Sequence, residues 1–152
     1  MKQVLARRGR VQVVEVPPSL VGEGSVLVAV SHSFISPGTE REGVQATASR
    51  SQVAMTLQRP ARLKTLLTHL EREGIQKTVA LLRARESVSN PIGYSCAGTV
   101  VQVGRGVPDL RAGDLVACAG AGDAVHAELV VVPRNLVARL PAGCELEDAA
   151  SA

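Results

Sequence analysis

Two short polar motifs hold most of the side chains that could carry chemistry. They are Ser36-Pro37-Gly38-Thr39-Glu40 and Gly93-Tyr94-Ser95. The hydroxyl of Thr39 could hydrogen-bond a substrate oxygen; equally, it could cap a short helix whose N-terminal dipole favours Glu40. The phenol of Tyr94 could donate to a carbonyl oxygen as negative charge develops there. Its ring could instead fill space while the hydroxyl bonds to backbone.

Other reactive residue types lack the spacing that catalysis or metal binding requires. The histidines His32, His69 and His126 are far apart in sequence and have no second ligand nearby. We therefore predict ordinary surface or strand histidines rather than a metal site. The three cysteines show no CxxC spacing, and Cys96 has no adjacent His or Lys that would lower its pKa. We interpret Cys96 as a small buried apolar residue rather than a nucleophile.

Composition narrows the class of protein. The 152 residues suit one domain, and Phe34 and Tyr94 are the only aromatic residues, so the core must consist of Val, Leu, Ile and Ala. The net charge is +3, and the basic residues are scattered without interleaved aromatics, which predicts no nucleic-acid partner. Neither a signal peptide nor a bilayer-length apolar run is visible, so we expect a cytoplasmic protein without a membrane partner.

The hydrophobic period changes twice along the chain. Apolar and polar residues alternate in residues 1 to about 36 and again from about 96 to 140, which predicts half-buried strands. At about 44–88 the leucines recur at helical spacing, with Pro60 suited to a first helical turn and Gly74 to a helix stop. We predict a helical hairpin inserted between two halves of a β-barrel. We interpret the charged residues of this insert as a face exposed to solvent. Alternatively, the insert could cover a substrate cleft or join the subunits of a homo-oligomer.

Several motifs, in order, resemble those of the medium-chain dehydrogenase/reductases. Residues 90–104 are similar to a segment of the zinc alcohol dehydrogenases. In those enzymes the segment has the pattern Pro-x-x-Gly-His-Glu, followed by small residues, Gly and a Val-rich strand that ends in Val-Gly. Residues 35–40 resemble the Ile-Cys-Gly-Thr-Asp stretch that supplies the first zinc ligand. The match covers nearly the whole chain except about 44–88. Further similar stretches are the opening hairpin at 1–17, the strand at 24–30, and residues 112–117, 126–133 and 140–143.

The resemblance implies that the catalytic zinc has been lost. Tyr94 stands where the metal-binding His would be, Ser95 replaces the neighbouring Glu, and Pro37 falls at the Cys ligand. Ser36, one step earlier, is a poor zinc ligand. Thr39 aligns with the Ser or Thr that relays the substrate hydroxyl proton in the zinc enzymes. The implied site has no metal, the catalytic residues Thr39 and Tyr94, and the substrate-binding residues Ser36, Glu40 and Ser95.

The fold implied by the resemblance is mainly β with helices (α+β). It is the partly open β-barrel called the GroES-like domain, here with an inserted helical hairpin. Relatives continue into a Rossmann domain with a Gly-x-Gly-x-x-Gly turn, which residues 1–152 lack. The cluster Gly120-Ala121-Gly122-Asp123 precedes a predicted strand, so we interpret it as a loop.

The implied function is that of one half of an enzyme. This would be the substrate-side domain of a zinc-independent oxidoreductase, inactive alone. It would act on a small molecule with NAD or NADP bound mainly by a C-terminal Rossmann domain. The combination of motifs and insert resembles a bi-domain oxidoreductase branch. The alternative is a stand-alone GroES-like binding or assembly module without catalysis. The charged helical insert counts against it, since the co-chaperonin that names the fold uses a mobile apolar loop.

Overall fold

Eight strands and two helices make up the part of the chain that the structure, a computed structural model, describes: residues 1–47 and 89–151. A single 3-10 turn in that part, Arg134–Leu136, precedes the last strand. The secondary structure of this part is mainly β with helices, as predicted. The elements are β1 (Lys2–Arg7), β2 (Arg10–Glu15), β3 (Ser25–Ser33), α1 (Pro37–Ala46), β4 (Asn90–Pro91), β5 (Ser95–Val103), β6 (Leu115–Ala119), β7 (Leu129–Pro133), β8 (Val137–Arg139) and α2 (Leu146–Ala150).

The larger sheet has five strands in the order β7-β3-β5-β6-β8, and every neighbouring pair is antiparallel. More and less buried residues alternate in β6, β7 and the first half of β3, so the predicted period of two is confirmed there. The prediction of a half-buried strand is wrong for β2, which is exposed at five of its six residues. Branched Val side chains fill the buried side of the larger sheet, which suits a pleated surface. The innermost side chains are Val26, Val28, Cys96, Val100, Val116 and Val132.

The opening hairpin is also confirmed. β1 and β2 are joined by Arg8 and Gly9, whose φ angles are 50° and 72°. Two positive φ angles are typical of the tight turn whose twist matches that of its strands. The smaller sheet that contains this hairpin has the order β2-β1-β4.

The Gly113-Asp114 turn that leads into β6 is held by a buried carboxylate. Asp114 Oδ2 accepts from the Arg111 amide at 3.0 Å, and Oδ1 lies 3.3 Å from an Arg139 guanidinium nitrogen. The side chain of Asp114 is only 6% exposed. The prediction that Asp114 has a structural role, bonding backbone amides at a tight turn, is therefore confirmed.

The chain divides into two compact units. One comprises residues 1–5, 13–40 and 91–152 and contains the five-stranded sheet; the other comprises 6–12 and 41–90. In the described part of the second unit, Thr47 Oγ1 accepts from the Gly9 amide at 3.0 Å and donates to the Val44 carbonyl at 2.7 Å.

The predicted helical hairpin at about 44–88 lies almost wholly outside the described residues, which resume at residue 89. Within the described ranges, no helix is both long enough and apolar enough to span a bilayer.

Candidate functional site

The first polar motif forms the connection from β3 into α1. The sequence predicts a short helix here, and α1 begins at Pro37, whose fixed φ suits the first helical position. The Ser36 carbonyl accepts from the Glu40 amide at 2.9 Å, closing the first turn. Ser36 Oγ lies 3.4 Å from Thr39 Oγ1, and Thr39 is exposed. In the described residues, the Thr39 hydroxyl therefore pairs with a second hydroxyl at the surface rather than capping a helix amide.

Glu40, in this first turn, takes part in a buried polar cluster. Its Oε1 atom lies 2.9 Å from His126 Nε2, and His126 Nδ1 lies 2.9 Å from Ser33 Oγ. The side chains of His126 and Glu40 are 8% and 12% exposed. An ionised carboxylate can only accept, so Nε2 carries a hydrogen that it donates to Glu40. In neutral His126, Nδ1 then accepts from the Ser33 hydroxyl.

The prediction of an ordinary surface or strand histidine is wrong for His126. The residue lies in a bend before β7, is buried, and uses both ring nitrogens. Its two partners lie 86 and 93 residues away along the chain. Local spacing therefore carries no signal of the contact. His32, in contrast, is exposed on β3 as predicted.

The second polar motif lies directly against the backbone of His126. The His126 amide donates to the Ile92 carbonyl at 2.9 Å, and the His126 carbonyl accepts from the Val4 amide at 2.8 Å. Gly93 has φ 109°, and a Cβ placed there would lie 2.7 Å from the His126 nitrogen. Only glycine satisfies both conditions, because side chains disfavour positive φ and this space is filled. His126 thus contacts both motifs.

Ser95 joins the second motif to the residue that follows β3. The Phe34 amide donates to the Ser95 carbonyl at 3.0 Å, where β3 ends beside the start of β5. The Ser95 hydroxyl, buried at 4% exposure, donates to the Ala150 carbonyl of α2 at 2.8 Å. This bond gives Ser95 a structural function, tying α2 to the sheet. Substrate binding by Ser95 stays a prediction.

Tyr94 is half-buried beside this junction. Its backbone carbonyl accepts from the Gly120 amide at 2.8 Å. Its phenol has no hydrogen-bond partner among residues 1–47 and 89–151, and no hydrogen bond links it to Thr39 there. The structure therefore brings the segments of Thr39 and Tyr94 to one end of the five-stranded sheet.

Two buried thiols face each other nearby in the sheet. Cys96 and Cys118 are register partners on β5 and β6 and are 0% and 2% exposed. The contact with Cys118 holds the pKa of the Cys96 thiol below its ordinary value, whereas the contact with Cys96 and burial raise the pKa of the Cys118 thiol. Both belong to the apolar core. The interpretation of Cys96 as a small buried apolar residue is confirmed.

The described residues show neither a cluster of metal ligands nor a phosphate-binding turn. In the described ranges, no three His, Cys, Asp or Glu side chains converge to hold a metal, and Glu40 and His126 bond to each other. The Gly120–Asp123 segment folds as a turn closed on the Gly120 carbonyl, and the next element in the chain is strand β7. This geometry does not fit a pyrophosphate, which prefers the N-terminus of a helix.

A comparison with protein families decides the classification. Residues 66–142, just over half of the chain, match the alcohol dehydrogenase GroES-like domain. The chain belongs to this family. The resemblance to the medium-chain dehydrogenase/reductases is thereby confirmed. No match to a curated protein was found.

Solved structures share the fold of this GroES-like domain. An Escherichia coli quinone oxidoreductase complexed with NADPH has 20% identity and a TM-score of 0.62 over 99% of this chain and 36% of its own. The CurK enoyl reductase has 15% identity and a TM-score of 0.65 over 99% and 38%. Galactitol-1-phosphate dehydrogenase from E. coli has 21% identity and a TM-score of 0.65 over 99% and 41%. The chain spans less than half the length of each.

Proposed function

We propose that this GroES-like domain is the substrate-side half of a zinc-independent, NAD(P)-dependent oxidoreductase and is inactive alone. The observation that carries the proposal is the convergence of two polar segments, 36–40 and 93–95, at one end of the five-stranded sheet, around the backbone and ring of His126. In this proposal a C-terminal Rossmann domain supplies most of the cofactor site. The similarity to longer oxidoreductase structures supports that arrangement.

The proposed site binds a small molecule through a carbonyl oxygen. The half-buried phenol of Tyr94 donates to that oxygen and stabilises the negative charge that grows on it. The hydroxyls of exposed Thr39 and half-buried Ser36 and the carboxylate of Glu40 orient the rest of the molecule. Ser95 supports this wall through its bond to α2. The nicotinamide supplies the hydride, while these side chains bind and orient the substrate.

Zinc independence is part of the proposal because Pro37 and Tyr94, which stand at the family's ligand positions, and their neighbours Ser36 and Ser95 offer only hydroxyls or no ligand atom. Hydroxyls and Pro bind Zn²⁺ poorly compared with thiolate and imidazole. Glu40 and His126, the residues of the site with better ligand atoms, bond to each other at 2.9 Å.

Cys96, Cys118 and Cys144 are all free thiols, which supports a reducing compartment such as the cytoplasm.

We expect this chain alone to show no saturable binding of NADH or NADPH, because its glycine-rich turn does not precede a helix. The complete reading frame that contains the sequence should bind one of the two cofactors in the micromolar range. Isothermal titration of both proteins with both cofactors checks this. Circular dichroism of the chain alone serves as the control for folding.

Saturable micromolar binding by the chain alone would show that the cofactor site has been misplaced. Absence of binding by both proteins would reject the oxidoreductase and leave the binding or assembly module as the better function.

A further inference from the structure

One imidazole joins the two ends of the connection between β3 and α1. Ser33, the last residue of β3, contacts His126 Nδ1, and Glu40, in the first turn of α1, contacts Nε2, each at 2.9 Å. The residues between them carry the hydroxyls of Ser36 and Thr39. The His126 ring therefore closes residues 33–40 into a loop, called here the 33–40 loop.

Apolar packing does little to hold the 33–40 loop in place. Five of the six residues from 34 to 39 are exposed, including Phe34 at 39% and Ile35 at 64%. The side chains of Glu40 and His126, in contrast, are nearly buried. A hydrogen bond to a charged group is stronger than a neutral one, and a buried group that loses its partner is costly. The two ring contacts of His126, to Ser33 and to Glu40, are called here the clasp. Within the described residues, the clasp is thus the main side-chain restraint on this loop.

The clasp is itself firmly anchored to the sheet. The backbone of His126 bonds to Val4 and Ile92, and Gly93 packs against its nitrogen. His126 therefore connects the two segments: its backbone contacts Gly93, and its ring contacts the 33–40 loop.

We propose that His126 is a positioning residue of the substrate site, which holds the 33–40 loop so that Thr39 and Glu40 face the same substrate as Tyr94. The proposal rests on the proposed function. His126 Nε2 bonds to Oε1 of Glu40, and Oε2 has no hydrogen-bond partner among residues 1–47 and 89–151. In this proposal Oε2 accepts from a substrate hydroxyl.

Three variants separate this role from general stability. His126→Leu removes both ring contacts, whereas His126→Gln keeps an amide N–H that can donate to Glu40 and an oxygen that can accept from Ser33. His32→Leu is the matched control, because His32 is exposed on β3 outside the cluster. Where His126→Leu does not fold, Ser33→Ala removes one end of the clasp while leaving Glu40 paired.

The first measurement uses this chain and needs no cofactor. Nitrogen-15 NMR of the His126 ring should show a protonated Nε2 and an unprotonated Nδ1 in neutral imidazole. Hydrogen exchange of the Glu40 amide, which bonds to the Ser36 carbonyl, should accelerate about ten-fold or more in His126→Leu, with core amides of Val28 and Val100 unchanged. His126→Gln should restore most of the protection, and His32→Leu should match the unchanged protein.

The second measurement uses the complete reading frame. His126→Leu should lower kcat by about ten- to a hundred-fold, the size expected when a reacting geometry is displaced by about 1 Å, and His126→Gln should recover most of it. Unchanged exchange at Glu40, or the opposite ring tautomer, would overturn the clasp. Faster exchange with unchanged kcat and KM would overturn the positioning role. An unchanged protein that transfers no hydride to any acceptor would overturn the proposed function and this role with it, while the exchange result would still report on the clasp.

Discussion

Replacing Tyr94 by Phe in the complete reading frame should lower turnover by roughly ten- to a thousand-fold while leaving the fold intact. The substitution removes only the phenol oxygen, which the proposed function assigns as a donor to the substrate carbonyl. A donor aimed at developing negative charge contributes most in the transition state. Steady-state kinetics with the preferred carbonyl acceptor gives the loss, and the thermal midpoint confirms the fold.

Tyr94→Ala is the companion variant, because it also removes the ring. If Tyr94 only fills space, Phe should keep near-normal rates while Ala destabilises the domain by up to about 3 kcal/mol. Near-normal turnover of the Phe variant would therefore contradict a catalytic phenol and support a packing role. A bound substrate whose carbonyl faces away from Tyr94 would reject the placement altogether.

Gly98→Ala should destabilise the domain by about 3 kcal/mol or more, and the variant is expected to fold poorly. A Cβ at Gly98 would lie 2.0 Å from the Ala29 carbonyl oxygen and 2.9 Å from its carbon. These are backbone atoms of β3 within the paired region of β5, so they cannot move without breaking the sheet register. Denaturant unfolding followed by circular dichroism measures the change.

Gly38→Ala is the matched control for this measurement. Gly38 lies in α1, its added Cβ would meet nothing within 4 Å, and its φ is not positive. Ala in a helix is favoured over Gly, so the free energy of unfolding should stay equal or rise by up to about 1 kcal/mol. If the free energy of unfolding of Gly98→Ala lies within about 1 kcal/mol of that of the unchanged protein, β3 and β5 do not approach as closely as described.

Local patterns were sufficient to predict most of the fold. Alternation at a period of two identifies the strands, Gly113-Asp114 identifies a turn, and Ser36-Pro37 identifies the start of α1, because each depends on neighbouring residues. The placement of the strands in a GroES-like barrel required the resemblance, since strand order depends on pairing between distant segments. The predicted helical hairpin stays a prediction.

The candidate site was less predictable than the fold. Its two motifs stood out by residue type, but His126, which contacts both, did not. A lone histidine has no local partner to mark it, and Glu40 is 86 positions away. For the same reason Ser95 could not be recognised as the tie to Ala150, which is a carbonyl contact with no side-chain signature. The local sequence shows only a titratable residue between Val125 and Ala127, three residues before β7.

Transfer of deuterium from 4-deuterated NADH or NADPH, by zinc-depleted protein from the complete reading frame, tests the central claim most directly. The acceptors would be a panel of ketones, aldehydes and α,β-unsaturated carbonyl compounds, with metal content measured on the same sample. We expect deuterium in the reduced product, unchanged turnover after chelation, and zinc far below one per chain. About one zinc per chain, with activity lost on chelation and restored by Zn²⁺, would contradict the account.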